Sequence, residues 1–135
     1  MISRVIEQSL IEKVNQLIDN AQHIVIVSHE NPDGDAVGSS LAMMHFLRAY
    51  GKEDVKVILP SELPYNLKWL PGVEDLLIYS LQEKSCCRAL QACDLILFLD
   101  LNALSRTGKM SQAFNGLSAQ RVLIDHHEFP EPFAP

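Results

Sequence analysis

Short apolar runs rich in β-branched residues alternate along this chain with segments of helical periodicity, and this alternation is what most constrains the fold. The strand candidates are residues 23–29 (HIVIVSH), 55–59, 75–79, 94–100 (DLILFLD) and 121–125. The helix candidates are residues 4–20, 36–50, 81–92 and 102–118, the last interrupted at Gly108 and Gly116. Strands that alternate with helices form mostly parallel sheets. We therefore predict a Rossmann-like α/β fold with a mostly parallel sheet of about five strands and helices on both faces.

The length and composition are those of one soluble globular domain. The chain has 135 residues, of which 47% are apolar and 21% charged. No apolar run approaches the roughly 18–20 residues that would span a bilayer. Charged residues interrupt the apolar pattern of the N-terminal segment, so we expect no signal peptide, no membrane contact and a cytoplasmic location. Residues 61–72 contain Pro64 and end in Leu-Pro-Gly, which predicts one short helix and a turn, with Trp69 packed over it.

Cysteine spacing and net charge each exclude a class of protein. Cys86, Cys87 and Cys93 are odd in number and include an adjacent pair, so they predict neither a disulfide framework nor a zinc knuckle. We expect reduced cysteines that serve as small apolar side chains near a helix. The net charge of −6 argues against a broad basic surface for nucleic acids. Divalent cations bound among the acidic residues would reverse the local potential.

Acidic and imidazole side chains follow three of the predicted strands at the point where each strand ends. They are His29, Asp33 and Asp35 after the first strand, Asp100 after the fourth, and Asp125, His126 and His127 after the last. In a parallel sheet the carboxyl ends of the strands lie along one edge, where α/β proteins place their sites. We therefore expect these distant stretches of sequence to converge in space.

Each group also has a structural interpretation that involves no ligand. The segment HENPDGD is compatible with a plain Asn-Pro-Asp-Gly turn in which Asp35 is the N-cap of the next helix. An aspartate such as Asp100 after a strand is usually a cap or a turn former. The triplet Asp125-His126-His127 is compatible with a polar, pH-sensitive loop. The presence of all three groups at one edge favours a metal site instead.

The predicted donors are carboxylates and imidazoles without thiolates. Such sets favour Mn²⁺ or Mg²⁺, with Fe²⁺ or Co²⁺ as alternatives, over structural zinc. Two such ions about 3.5–4 Å apart stabilise both the attacking and the leaving oxygen in phosphoryl transfer. Asp100 can bridge two cations through its two oxygens, and Asp125 can accept an imidazole N–H and fix the tautomer of that ring.

The segment HENPDGDAVGSS, the strand end at Asp100 and DHH at 125–127 together resemble the DHH phosphoesterase family. The resemblance extends from about residue 20 to residue 128. That family includes exonucleases on single strands, small oligoribonuclease/phosphoadenosine phosphate phosphatases, cyclic-dinucleotide phosphodiesterases and manganese-dependent pyrophosphatases. The first motif is most similar to the oligoribonuclease/phosphoadenosine phosphate phosphatase branch.

The resemblance implies a role for each matched residue. It implies that His29 and Asp33 bind a first Mn²⁺ ion, that Asp35 and His126 bind a second, and that Asp100 bridges both. His127 would contact a substrate phosphate, and Asp125 would hold a histidine in place. Asp35, Asp100, His126 and His127 would form the catalytic set around an attacking, metal-bridging hydroxide. Asn102 and Arg106, in the loop after Asp100, are candidate substrate contacts, with Arg106 equally suited to anchor the loop.

The chain also departs from the family pattern, because family members carry a fourth aspartate motif and a smaller C-terminal substrate-binding domain. The resemblance therefore implies that residues 1–135 are a truncated N-terminal metal-binding domain, with a weak second metal site and weak or absent activity. The expected substrates are short single-stranded RNA or a nucleotide 3′-phosphate such as phosphoadenosine phosphate. Hydrolysis of pyrophosphate, polyphosphate or a cyclic dinucleotide is an alternative, as is a nucleotide-binding module without catalysis. A homodimer is compatible with the sequence.

Overall fold

The computed structural model describes residues 7–125, in which a parallel sheet of five strands alternates with helices. The α-helices are α1 (Gln8–Asn20), α2 (Gly34–Ala49) and α3 (Glu83–Ala92), and the strands are β1 (His23–Val27), β2 (Asp54–Leu59), β3 (Leu77–Ile78), β4 (Leu95–Leu99) and β5 (Gln120–Ile124). Shorter 3₁₀ segments cover Tyr65–Leu67, Val73–Asp75 and Leu104–Phe114. The predicted α/β class, the parallel sheet and the number of strands are confirmed.

The strand order β3-β2-β1-β4-β5 places the first strand at the centre of the sheet. All four neighbouring pairs are parallel. The chain moves outward from β1 to β2 and β3, and then returns to the other side of β1 to form β4 and β5. The connections therefore reverse direction between β1 and β4, and α/β proteins place their ligands in the crevice at the carboxyl ends of two such strands.

Alternate residues of the central strands supply two cores, one on each face of the sheet. Ile24 and Ile26 of β1 pack with α2 on one face, whereas Val25 and Val27 pack with α3 and the Leu104–Phe114 segment on the other. A strand with both faces covered is apolar at every position, which explains the uninterrupted runs in β1 and β4. The expected helices on both faces are confirmed.

Three sequence predictions about secondary structure and packing need correction. The strand predicted at 75–79 is reduced to Leu77–Ile78, because a 3₁₀ turn occupies Val73–Asp75. The helix predicted at 102–118 is a 3₁₀ segment, broken by Gly108 at φ 61°, ψ −132°. Trp69 does not pack over its turn but is 75% exposed. Within residues 7–125, no helix is long and apolar enough to cross a membrane.

Candidate metal centre

Three ligating side chains meet at the carboxyl edge of the sheet, beside the crevice between β1 and β4. They are His29, Asp33 and Asp100, and one ligand atom of each lies within 4.8 Å of the other two. His29 Nε2 is 3.4 Å from Asp100 Oδ2 and 3.8 Å from Asp33 Oδ1. Two elements that are distant in sequence therefore deliver one imidazole and two carboxylates to a common point.

Strand register explains why His29 and Asp100 meet. Val27 of β1 pairs with Phe98 of β4, so the residues two positions further along each strand arrive side by side. The Ser28 hydroxyl, which is buried, donates a hydrogen bond of 2.7 Å to the carbonyl oxygen of Leu99 and ties the two strand ends together. Asp100 then turns out of the strand with φ 55°, a left-handed conformation that costs energy in most residues other than glycine and is common at functional sites.

The hydrogen bonding of His29 leaves its second ring nitrogen available to a ligand. His29 Nδ1 lies 2.8 Å from the carbonyl oxygen of Glu30, which can only accept, so Nδ1 carries the proton. In the neutral ring Nε2 then presents a lone pair towards the carboxylates of Asp33 and Asp100. Carboxylate oxygens and a neutral imidazole nitrogen are ligands that divalent cations commonly take in proteins. The donor set therefore fits a divalent metal ion.

Asp33 is both a member of this cluster and the N-cap of α2. Its Oδ1 accepts a 3.0 Å hydrogen bond from the Ala36 N–H, and its backbone is extended. This hydrogen bond, with a smaller contribution from His29, holds the pKa of Asp33 below its usual value. The alternative that made Asp35 the N-cap is wrong, because Asp35 lies inside the first helical turn. Asp35 is therefore free of the capping role and is exposed.

A cleft beside the cluster contains the other predicted carboxylates. Asp35, Asp100 and Asp125 line this cavity of about 640 Å³, together with apolar residues of α2. Asp125 follows β5, whose Ile124 pairs with Leu99 of β4, and the Asp100 N–H donates a 3.0 Å hydrogen bond to the Ile124 carbonyl oxygen. The predicted convergence of three strand ends therefore holds for every predicted carboxylate of the site. His126 and His127 lie outside the described residues.

The sequence comparison agrees with this geometry. Residues 23–135 match the model of the DHH family, N-terminal domain, which is most of the chain. The chain belongs to the DHH family. DHH phosphoesterases are metal-dependent hydrolases, and the cluster of His29, Asp33 and Asp100 lies inside the matched range.

Two individual DHH relatives extend the comparison. The bifunctional oligoribonuclease and PAP phosphatase NrnA of Thermus thermophilus is 46% identical over 52 residues, which are 38% of this chain and 15% of that protein. The crystal structure of an exopolyphosphatase-related protein from Bacteroides fragilis superposes with a TM-score of 0.95 at 41% identity. That superposition covers 98% of this chain and 39% of the Bacteroides chain, so the chain spans well under half of either relative.

The two candidate substrate contacts follow Asp100 in this DHH domain, with Arg106 inside the Leu104–Phe114 segment and not in the loop expected there. Asn102 is half-buried and Arg106 is exposed. The carbonyl oxygen of Arg106 accepts a 2.7 Å hydrogen bond from the Glu30 N–H, next to His29. Arg106 thus anchors the first motif through its backbone, while its side chain stays available at the surface.

Two contacts that hold the first DHH motif in place are not predictable from the sequence pattern. Asn31 adopts a left-handed conformation (φ 50°), and its N–H donates a 2.6 Å hydrogen bond to the hydroxyl of Ser61 in the loop after β2. The Glu30 carboxylate lies directly against the α-carbon of Gly108, where a side chain would collide with it. Only Gly108, which interrupts the helical pattern of its segment, gave any indication of this packing.

Proposed function

We propose that this chain is the metal-binding part of a hydrolase that cleaves phosphoester bonds in short oligoribonucleotides or in a nucleotide 3′-phosphate such as phosphoadenosine phosphate. The observation that carries the proposal is the convergence of His29 Nε2 with carboxylate oxygens of Asp33 and Asp100 within 4.8 Å. Membership of the DHH family supports the reaction class. The NrnA relative, named as an oligoribonuclease and PAP phosphatase, supports the substrate class.

The donor chemistry supports manganese as the metal, with Mg²⁺ or Co²⁺ as alternatives, because the ligands are oxygens and imidazole nitrogens without thiolates. His29, Asp33 and Asp100 would hold one ion. Asp35 and His126 would hold a second, with Asp100 shared between the two. Such a pair of ions supplies Lewis-acid stabilisation of the attacking and leaving oxygens in phosphoryl transfer.

The chain's own residues organise this site before any substrate arrives. The Glu30 carbonyl fixes the tautomer of His29, so Nε2 always faces the carboxylates. The N–H of Ala36 holds one oxygen of Asp33 at the start of α2, where the positive end of the helix dipole favours an anion. Asp35 lies two residues further along, in the first turn of α2, and lines the same cleft as Asp100 and Asp125. His127 would contact a substrate phosphate, and Asn102 and the Arg106 side chain would contact the substrate.

A second candidate function is hydrolysis of pyrophosphate or polyphosphate by the same residues. The Bacteroides structure, named as exopolyphosphatase-related, supports it. Assaying pyrophosphate, tripolyphosphate, a cyclic dinucleotide and a short oligoribonucleotide side by side separates these substrates. Binding of a nucleotide without metal and without turnover would instead indicate a nucleotide-binding module.

The proposal is tested by hydrolysis of a short oligoribonucleotide in Mn²⁺ by wild type, by Asp100→Ala and by a matched control. Asp75→Ala is a suitable control, because it also removes one carboxylate, here from an exposed ion pair with Arg48. We expect the whole protein, and its Asp75→Ala variant, to release 5′-mononucleotides and the Asp100→Ala variant to be inactive. Unchanged release by a folded Asp100→Ala variant would refute the proposed site.

A further inference from the structure

Two large aromatic side chains and a lysine form an exposed patch in the loop that follows β2. Tyr65 is 87% exposed and Trp69 75% exposed, and Lys68 Nζ lies 5.8 Å from the centroid of the Tyr65 ring. We call these three residues the aromatic patch. Large side chains grouped at the surface in this way indicate a binding site more often than isolated exposed apolar residues do.

Local geometry explains why the aromatic patch faces outward. In a 3₁₀ turn, side chains three residues apart lie one above the other. Leu67 and Leu70 have that spacing and pack against the core beneath α2. Tyr65 and Lys68 share the spacing on the opposite side, which brings the lysine over the tyrosine ring. The same turn that buries the two leucines therefore holds the patch out in solvent.

The loop that carries the patch begins at the same edge of the sheet as the metal centre. Ser61, in the same loop, accepts a 2.6 Å hydrogen bond from the N–H of Asn31, two residues before Asp33. Asn31, Ser61 and Pro64 line one cleft of about 530 Å³, and Tyr65 follows Pro64 directly. This cleft extends from the loop that carries Asp33 to the beginning of the patch.

We propose that the aromatic patch stacks a nucleobase of a single-stranded oligonucleotide whose phosphate backbone reaches the metal centre. Aromatic rings stack on any base, and an adjacent cation adds attraction both to the ring system and to a phosphate. The inference rests on the proposed oligonucleotide substrate. The inference predicts that the substrate carries a nucleobase and is not a bare phosphate polymer, because pyrophosphate and polyphosphate have no π face. We expect little preference for the nucleotide sequence of the substrate, because stacking involves no hydrogen bonds to the edges of the base.

The chain offers a direct spectroscopic readout, because Trp69 is its one tryptophan. We would titrate the 135-residue chain with a short oligoadenylate and, separately, with tripolyphosphate, which carries phosphates but no base. Stacking predicts saturable quenching of tryptophan emission by oligoadenylate alone. Tyr65→Ala should weaken oligoadenylate binding roughly fivefold or more, the effect of losing one base–aromatic stack.

Tyr50→Ala is the matched control. Tyr50 is also exposed, at 57%, but it is the C-cap of α2, at the end opposite Asp33. Tyr50 lines neither the cleft beside the patch nor the cavity beside the metal cluster, so the control should bind oligoadenylate like wild type. All the substituted side chains are exposed, and circular dichroism would check that each variant is folded.

Three binding results would overturn the inference. They are no quenching by oligoadenylate, equal quenching by tripolyphosphate, and equal loss of affinity in Tyr50→Ala and Tyr65→Ala. Self-association that Tyr65→Ala abolishes would also overturn it, because the patch would then be covered by a second copy. Quenching by oligoadenylate without hydrolysis by the whole protein in Mn²⁺ would support the patch while contradicting the proposed function, whereas hydrolysis without quenching would contradict the patch alone.

Discussion

The imidazole of His29 and the carboxylate of Asp100 face each other across two neighbouring parallel strands, with Nε2 3.4 Å from Oδ2. Both side chains are only 7% exposed. A buried carboxylate is costly unless it is paired, hydrogen-bonded or bound to a metal ion. The position of this pair, at the point where the strand connections reverse direction, is where α/β proteins bind their ligands. The proposed metal ion would lie between these two side chains, at this position in the fold.

The two roles of Asp33 can be separated by substitution. Asp33→Ser keeps an oxygen that can cap α2 but removes a carboxylate ligand, whereas Asp33→Ala removes both. In metal-free protein we expect Asp33→Ala to lower the free energy of unfolding by about 1 kcal/mol and Asp33→Ser to be nearly neutral. Both variants should bind Mn²⁺ at least about tenfold more weakly. Urea unfolding and calorimetric titration with Mn²⁺ measure the two effects.

The lowered pKa of Asp33 adds a pH dependence to this comparison. A carboxyl group whose pKa is lowered by folding stabilises the protein fully above its unfolded value, about 3.9. That contribution is lost as the pH falls through the lower pKa of the folded state. Wild type should therefore lose stability relative to Asp33→Ser below about pH 4, because serine does not titrate. If the difference in free energy of unfolding between wild type and Asp33→Ser stayed constant across that pH range, the cap would not be the ionised carboxylate of Asp33.

Substitution by alanine should have opposite effects on stability at two glycines, Gly108 and Gly38. Gly108 has a positive φ of 61°, and an added Cβ would collide with the Glu30 carboxylate. Gly38 lies within α2 and has open space around it. Gly108→Ala should lower the free energy of unfolding by about 1–3 kcal/mol, because alanine is strained at this positive φ. Gly38→Ala should stabilise the protein by about 0.5–1 kcal/mol. Equal effects of the two substitutions on the free energy of unfolding in urea would contradict a strained backbone at Gly108.

The three cysteines should differ in reactivity. Burial raises the pKa of Cys86 and of Cys93 to about 11, so both remain thiols at neutral pH, and the Cys93 thiol donates a 3.1 Å hydrogen bond to the Leu90 carbonyl. Cys87 is partly exposed. Because the thiolate is the reactive form, a thiol reagent at about pH 8 should label Cys87 first, and the other two only on unfolding. Rapid labelling of all three in folded protein would contradict the burial.

The fold and the carboxylate part of the site were predictable for one physical reason. Apolar runs with no alternation, such as those of β1 and β4, indicate strands covered on both faces, and parallel strands bring their carboxyl ends to a common edge. Asp33, Asp35, Asp100 and Asp125 can therefore be grouped from the order of residues along the chain. The reduced cysteines were predictable as well, because their spacing suits neither disulfides nor zinc.

What the sequence could not supply was strand register, cap identity and surface exposure. Asp33 and Asp35 are both good N-caps by residue type, and only the backbone shows that Asp33 accepts the Ala36 N–H. Trp69 was expected to pack because tryptophan usually does, but Leu67 and Leu70 fill the inner side of its turn instead. The bond between Asn31 and Ser61 depends on where the loop after β2 lies, which no local pattern encodes.

The most direct test of the metal centre is the melting temperature of the 135-residue chain with and without Mn²⁺. A ligand that binds only the folded state, at a hundredfold excess over its Kd, stabilises by about 2.7 kcal/mol, on the order of 10 °C for a domain of this size. We predict such a rise for wild type and for the control Asp75→Asn, and little or none for Asp100→Asn. No rise for wild type in millimolar Mn²⁺, or an equal rise in Asp100→Asn, would contradict the site.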